Sequence, residues 1–140
     1  MNELRPIFLV DDNPMDVELT LLAFRSSGMA NPIEGVCDGV EAIERFPRWE
    51  AGEQTPLVIL LDINMPRING LEVLKRLKSH EVLRVIPVVM LTTSAVGPDV
   101  EAAYELGANS YIVKPVDFDK FTQVAGQIRL YWTALNQVPR

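Results

Sequence analysis

One cysteine, Cys37, occurs in 140 residues, so no internal disulfide can form. Its place at the end of an apolar strand leads us to expect an inert, buried thiol. No run approaches the roughly 18 consecutive apolar residues of a membrane-spanning helix, and the opening MNELRPIF lacks the long apolar segment of a secretory leader. These absences predict a cytoplasmic protein with no membrane partner. Basic side chains are few, 13 against 19 acidic, and the net charge of −6 argues against nucleic acid or anionic lipid as a ligand. Clustered acids in such a chain are better suited to holding a cation. What the sequence has in quantity is apolar residues, 48% of the total, enough for the core of one domain over residues 1–140, with 137–140 as a short tail.

Short strands alternate with helices along the chain. Pro6 to Val10, Leu57 to Leu61 and Pro87 to Leu91 are all-apolar runs rich in branched side chains, as in strands buried on both faces. Ile33 to Cys37 is interrupted by Glu34 and Gly35, which suits a sheet edge, and Asn109 to Val113 makes a fifth strand. Helices are predicted from Pro14 to Gly28, from about Gly39 to Arg45, from Leu71 to His80, from Gly97 to Gly107 and from Asp117 to about Asn136. In the second of these Val40, Ile43 and Phe46 point inward and Pro47 disturbs the end, leaving Arg48 to Thr55 as a connection. In the third, Leu71, Leu74 and Leu77 face the core, Lys75, Arg76 and Lys78 face solvent, and His80 is a cation at the C-terminus. The first helix carries two apolar stripes, Met15-Leu19-Leu22 and Val17-Leu21-Phe24. One covers the sheet; the other belongs either to a wide buried face or to a docking surface for a partner helix.

Strict alternation predicts an α/β fold with a five-stranded parallel sheet covered on both faces and right-handed crossovers. The three most apolar strands belong in the centre. That gives the flavodoxin-like order 2-1-3-4-5, whose binding crevice lies at the carboxyl ends of strands one and three. Asp11, Asp12, Asp62, Thr92 and Lys114 all fall at such strand ends. Three carboxylates together repel unless a cation relieves them, and an all-oxygen set suits magnesium. A carboxylate so placed can attack phosphorus to give an aspartyl phosphate. Magnesium and Lys114 would then neutralise the phosphoryl oxygens, with the Thr92 hydroxyl donating to one of them.

These residues resemble the receiver domains of two-component response regulators over nearly the whole chain. The likeness rests on the acidic pair in VDDNP, the phosphoacceptor in LLDINMPRING, the hydroxyl in VVMLTTS and the lysine in YIVKP, at intervals similar to those of the chemotaxis receivers. It implies that Asp62 accepts a phosphoryl group from a sensor histidine kinase. It further implies that Asp11, Asp12, Asp62 and the backbone carbonyl of Asn64 hold magnesium, that Thr92 and Tyr111 are paired switch residues, and that Lys114-Pro115 is a cis peptide. More narrowly, LTTS, LGANSYIVKPVDF and the final YW resemble stand-alone receivers that work with bacterial phytochromes. Asn69 departs from the family, where many relatives carry aspartate.

Such a chain is a phosphoacceptor that catalyses only its own phosphorylation and dephosphorylation. A haloacid-dehalogenase-type phosphatase would need a second aspartate two positions after the first, where Asn64 stands. A flavin carrier would want hydroxyls and amides after strand one, where Asp11 and Asp12 repel phosphate. The remaining alternative is a receiver-like interaction module that works without phosphorylation. In the last helix Phe118, Phe121, Ala125, Ile128, Trp132 and Leu135 form a core stripe, while Val124, Tyr131 and Val138 lie off it. Together with the fifth strand, that second face predicts a symmetric homodimer.

Overall fold

The computed structural model describes residues 5–26, 30–92 and 97–113, together with Asp119 and Gln123, both helical. Parallel strands β1 (Ile7–Val10), β2 (Ile33–Val36), β3 (Val58–Asp62), β4 (Val88–Thr92) and β5 (Ser110–Val113) form one sheet in the order β2-β1-β3-β4-β5, as expected. The helices are α1 (Pro14–Ser26), α2 (Gly39–Glu50), α3 (Gly70–Ser79) and α4 (Pro98–Glu105). Strands β1, β3 and β4 are buried along their whole length, whereas the outer β2 is partly exposed, which is the burial their sequences predict. Successive strand side chains point to opposite faces. Phe8, Val10, Ile59 and Leu61 therefore join α2 and α3 residues in one core, and Ile7, Leu9, Val58 and Leu60 join Ala23 and Phe24 of α1 in the other.

Several helices differ from expectation in informative ways. Helix α2 continues through Pro47 to Glu50 and buries Ala42, Phe46 and Trp49, while Val40 and Ile43 are only half-buried. Trp49, read as part of a connection, packs edge-on against Phe8 at 5.2 Å between ring centroids. A proline inside a helix costs about 3 kcal/mol, whereas losing one buried aromatic costs about 3–5 kcal/mol. With both Phe46 and Trp49 in the core, burial wins. A 3-10 turn at Leu83–Val85 carries Leu83 into the core and is too short to announce itself by periodicity.

Lys78 of α3 and His80, which follows the helix, have roles unlike those expected. Lys78 is half-buried rather than solvated, and its Nζ donates to the carbonyls of Arg84 and Ile86 at 2.8 Å each. Burial holds its pKa below the usual lysine value. His80 is not simply a cation at a helix end. Its Nδ1 accepts from Val82 N and Leu83 N at 3.1 and 3.2 Å, so it caps the 3-10 turn, while Nε2 meets Glu50 Oε2 at 2.8 Å. That geometry places the ring proton on Nε2.

The buried thiol is a further correction. Strand β2 ends at Val36, one residue short of expectation, so Cys37 falls in the bend beyond the sheet and is exposed. On α1 the inward stripe is Val17, Leu21 and Phe24, joined by Thr20; Met15 (76% exposed), Leu19 and Leu22 lie outside, which removes the wide-buried-face reading. Gly28, Lys114, Pro115 and, apart from Asp119 and Gln123, the last helix with Val124, Tyr131 and Val138 lie outside the described residues.

Candidate functional site

The sheet register builds the site. Val10 pairs with Leu61, so the next residues, Asp11 and Asp62, leave adjacent strands at the same level. Leu91 of β4 pairs with Asp62, which sets Thr92 one step further along on the neighbouring strand. Asp11 and Asp62 are almost wholly buried, at 2% and 1% exposure, and Thr92 is fully so; Asp12 stands in solvent. Carboxylate oxygens of Asp11, Asp12 and Asp62 lie within 4.8 Å of one another. Like charges at that separation repel, the more so where water is excluded, and a cation between them reverses the sign. Only oxygen donors are offered by the three side chains. The set therefore fits a hard divalent cation.

Backbone turns hold these carboxylates in place. Asp11 Oδ1 accepts the Asn13 N–H at 2.9 Å, and Asp62 Oδ1 accepts the Asn64 N–H at 3.0 Å, two tight turns of the same kind at the ends of β1 and β3. Asn13 in turn caps α1, its Oδ1 accepting from Met15 N and Asp16 N at 2.9 and 3.3 Å. Sequence reading passed over Asn13, although an asparagine directly before Pro14 is the expected cap signal. Asn69, the departure from the family pattern, caps α3 by accepting Glu72 N at 3.0 Å, work that asparagine does as well as aspartate. The turn after Asp62 is also tied sideways, by an Arg67–Asp38 ion pair of 2.7 Å that no sequence pattern announced.

The predicted residues Asp11, Asp12, Asp62 and Thr92 thus converge, and Asn64 sits on the turn that embraces Asp62. Tyr111, one step before the Leu91–Ile112 pair, is half-buried with its ring edge-on to Tyr104 at 5.9 Å. Lys114 follows the last residue of β5 in sequence and lies outside the described residues.

A profile of the response regulator receiver domain matches residues 7–125. The chain belongs to this receiver family. Its solved structural relatives include the bacteriophytochrome response regulator RtBRR, 45% identical, with 98% of this chain and 85% of that one aligned at a TM-score of 0.81. A second is response regulator Rcp1 from Synechocystis sp., 35% identical over 99% of this chain and 95% of that protein. The Mn2+-bound form of Rcp1 superposes with a TM-score of 0.78, covering 97% and 99% of the two chains at 32% identity. By sequence the chain is also 38% identical to the probable methanogenesis regulatory protein FilR2 of Methanothrix harundinacea, over 95% of this chain and 86% of that one. This receiver is therefore a response regulator close to those of phytochrome systems, and its acidic cluster is of the kind that a divalent cation occupies. Among the described residues no helix is long and apolar enough to cross a membrane.

Proposed function

We propose that this receiver takes a phosphoryl group from a sensor histidine kinase onto Asp62, in a magnesium-dependent reaction, and signals through its own surface downstream of a bacterial phytochrome. The observation that carries the reading is the convergence of three carboxylates within 4.8 Å at the ends of β1 and β3, with the Thr92 hydroxyl on the next strand. In the transfer, a carboxylate oxygen of Asp62 forms a bond to phosphorus as the bond from phosphorus to the donor imidazole nitrogen breaks, and that nitrogen keeps the electron pair. The Asn64 N–H on Oδ1 holds the carboxylate plane for attack. Thr92 donates its hydroxyl to a phosphoryl oxygen, and Lys114 supplies a positive charge to another. Asp11, Asp12, Asp62 and the Asn64 carbonyl are the groups that hold magnesium, which when bound neutralises the charge of the phosphoryl oxygens.

A kinase that reaches this rim passes α1, where Met15, Leu19 and Leu22 offer exposed apolar area to its helices. Cytoplasmic placement belongs to the same reading. Incubation with acetyl phosphate and magnesium followed by intact-mass spectrometry tests it: one phosphoryl adduct is expected, and none with chelator present. Asp12→Ala should weaken magnesium binding by at least about tenfold, because it removes one of the three charged ligands. Full-rate labelling in chelator would sink the metal assignment.

Output from the chain itself needs a second surface. Thr92 and Tyr111 would couple the phosphoryl group to β5 by biasing two conformations, and a homodimer through β5 and the last helix would read that bias. Support for β5 as a contact comes from its place at the sheet edge, with Tyr104 half-exposed beside Tyr111. Light scattering across a dilution series, with and without phosphorylation, is expected to give twice the monomer mass at high concentration. A monomer at every concentration in both states would exclude the dimer.

A further inference from the structure

The loop between β3 and α3 is fixed firmly at its ends and bulges into solvent between them. At one end Asp62 and Ile63 belong to the buried strand level, and Ile63 N donates to Leu91 O at 2.9 Å. At the other, Gly70 N donates to Ile63 O at 2.9 Å, and Met65 is buried between the two. Pro66, Arg67 and Asn69 are exposed. Within this bulge Arg67 has φ 66°, and it is the one non-glycine residue at positive φ among the described residues. Left-handed backbone is disfavoured for a side chain with a Cβ, and glycine or asparagine would adopt it more readily. An arginine there persists only where its surroundings hold it.

What holds it is the turn that begins α2. Arg67 Nη2 donates to Asp38 Oδ2 at 2.7 Å. The other oxygen of Asp38 accepts Glu41 N at 2.8 Å and caps α2, and Glu41 Oε1 accepts Cys37 N at 2.8 Å, so the acceptor is itself rigidly placed. The next residues of the two loops also touch. A Cβ at Gly39 would lie 2.6 Å from Ile68 O, so glycine is what lets the loop backbone lie directly on the start of α2. Side-chain and backbone contacts thus join the same two loops side by side.

We propose that the Arg67–Asp38 ion pair is a clamp that positions the Asn64-bearing loop for divalent-cation binding, which makes Arg67 a positioning residue of the phosphoacceptor site. The inference rests on the metal-dependent reading above. Its physical reason is preorganisation: a carbonyl ligand on a loop free to move charges the ordering of that loop against binding, and a clamp removes that cost beforehand.

For Arg67→Ala, though not for Asp38→Asn, whose lost negative charge would itself loosen magnesium, charge alone predicts the opposite sign. Removing a cation from the neighbourhood of three carboxylates should tighten magnesium binding, whereas loss of a clamp should loosen it. Isothermal titration of the full chain with magnesium chloride separates the two. Arg67→Ala and Asp38→Asn, the latter keeping the α2 cap, should each raise the magnesium Kd about 2–5-fold, the range open to a partly exposed pair. The double variant should be no weaker than the weaker single, because both remove one interaction. Arg67→Lys should recover most of the affinity, since a single N–H donor makes the bond, and Arg67→Gly should not, since it relieves the backbone and still loses the clamp. An unchanged or lowered Kd in Arg67→Ala, beside a wild type that binds magnesium, overturns the clamp and leaves the metal reading standing. A wild type that binds no magnesium overturns both.

Discussion

Asp62→Asn is expected to abolish phosphoryl incorporation completely while the protein keeps its fold. The side chain ends a strand of five buried residues and is itself 1% exposed, so the isosteric amide fits without repacking. Its carbonyl oxygen can still accept the Asn64 N–H now held at 3.0 Å. What disappears is the anionic oxygen proposed to attack phosphorus, and an amide has no comparable nucleophile. One of three mutually repelling carboxylates is also lost, so the thermal midpoint should stay level or rise. Intact-mass spectrometry after acetyl phosphate treatment, paired with a melting curve, reads both quantities. Retained labelling in a folded variant would move the phosphoacceptor elsewhere, with exposed Asp12 the first candidate. Loss of labelling through unfolding would show in the melt, and would mean that the buried carboxylate supports the fold in a way the geometry does not reveal.

The sheet was readable because its strands are short, apolar and terminated by chemistry. Asp62 cannot lie deep within VILLD without unbearable desolvation, and its place at the end of β3 follows from that cost alone. The strand ends likewise put Asp11 level with Asp62 on one side and Thr92 one step further along on the other. Where local rules compete with tertiary packing, the sequence is less transparent. Pro47 is a helix breaker by its backbone, yet α2 runs past it because Phe46 and Trp49 both reach the core. Cys37 looked like a strand residue, and one residue of difference at the end of β2 puts it in solvent. The Arg67–Asp38 pair was not legible at all: the partners are 29 residues apart, and only the folded β3–α3 and β2–α2 loops bring them together.

Gly70→Ala should be the most damaging small substitution near the site, against the direction of helix propensity. Gly70 opens α3 just after its Asn69 cap, and in a helix alanine outranks glycine by up to about 1 kcal/mol. A Cβ at this position, however, would run into the Asp62 carbonyl oxygen and stand 2.8 Å from Ile63 Cα and 2.9 Å from Asp62 C. These are backbone atoms at the end of Asp62's own strand, so no rotamer change relieves the clash. Either α3 withdraws, which breaks the 2.9 Å bond from Gly70 N to Ile63 O, or the end of β3 shifts and takes the Asp62 carboxylate with it. We expect a loss of about 3 kcal/mol in denaturant unfolding and weaker magnesium binding in the fraction that stays folded. Gly35→Ala is the control. Its nearest foreign atom, Leu9 O, would be 3.6 Å from the new methyl, an ordinary contact on the outer strand, so the change should stay within about 0.5 kcal/mol. Should Gly70→Ala unfold at the same denaturant concentration as the wild type, the close approach of α3 to the Asp62 backbone is wrong, and with it the account of why the turn after Asp62 is rigid.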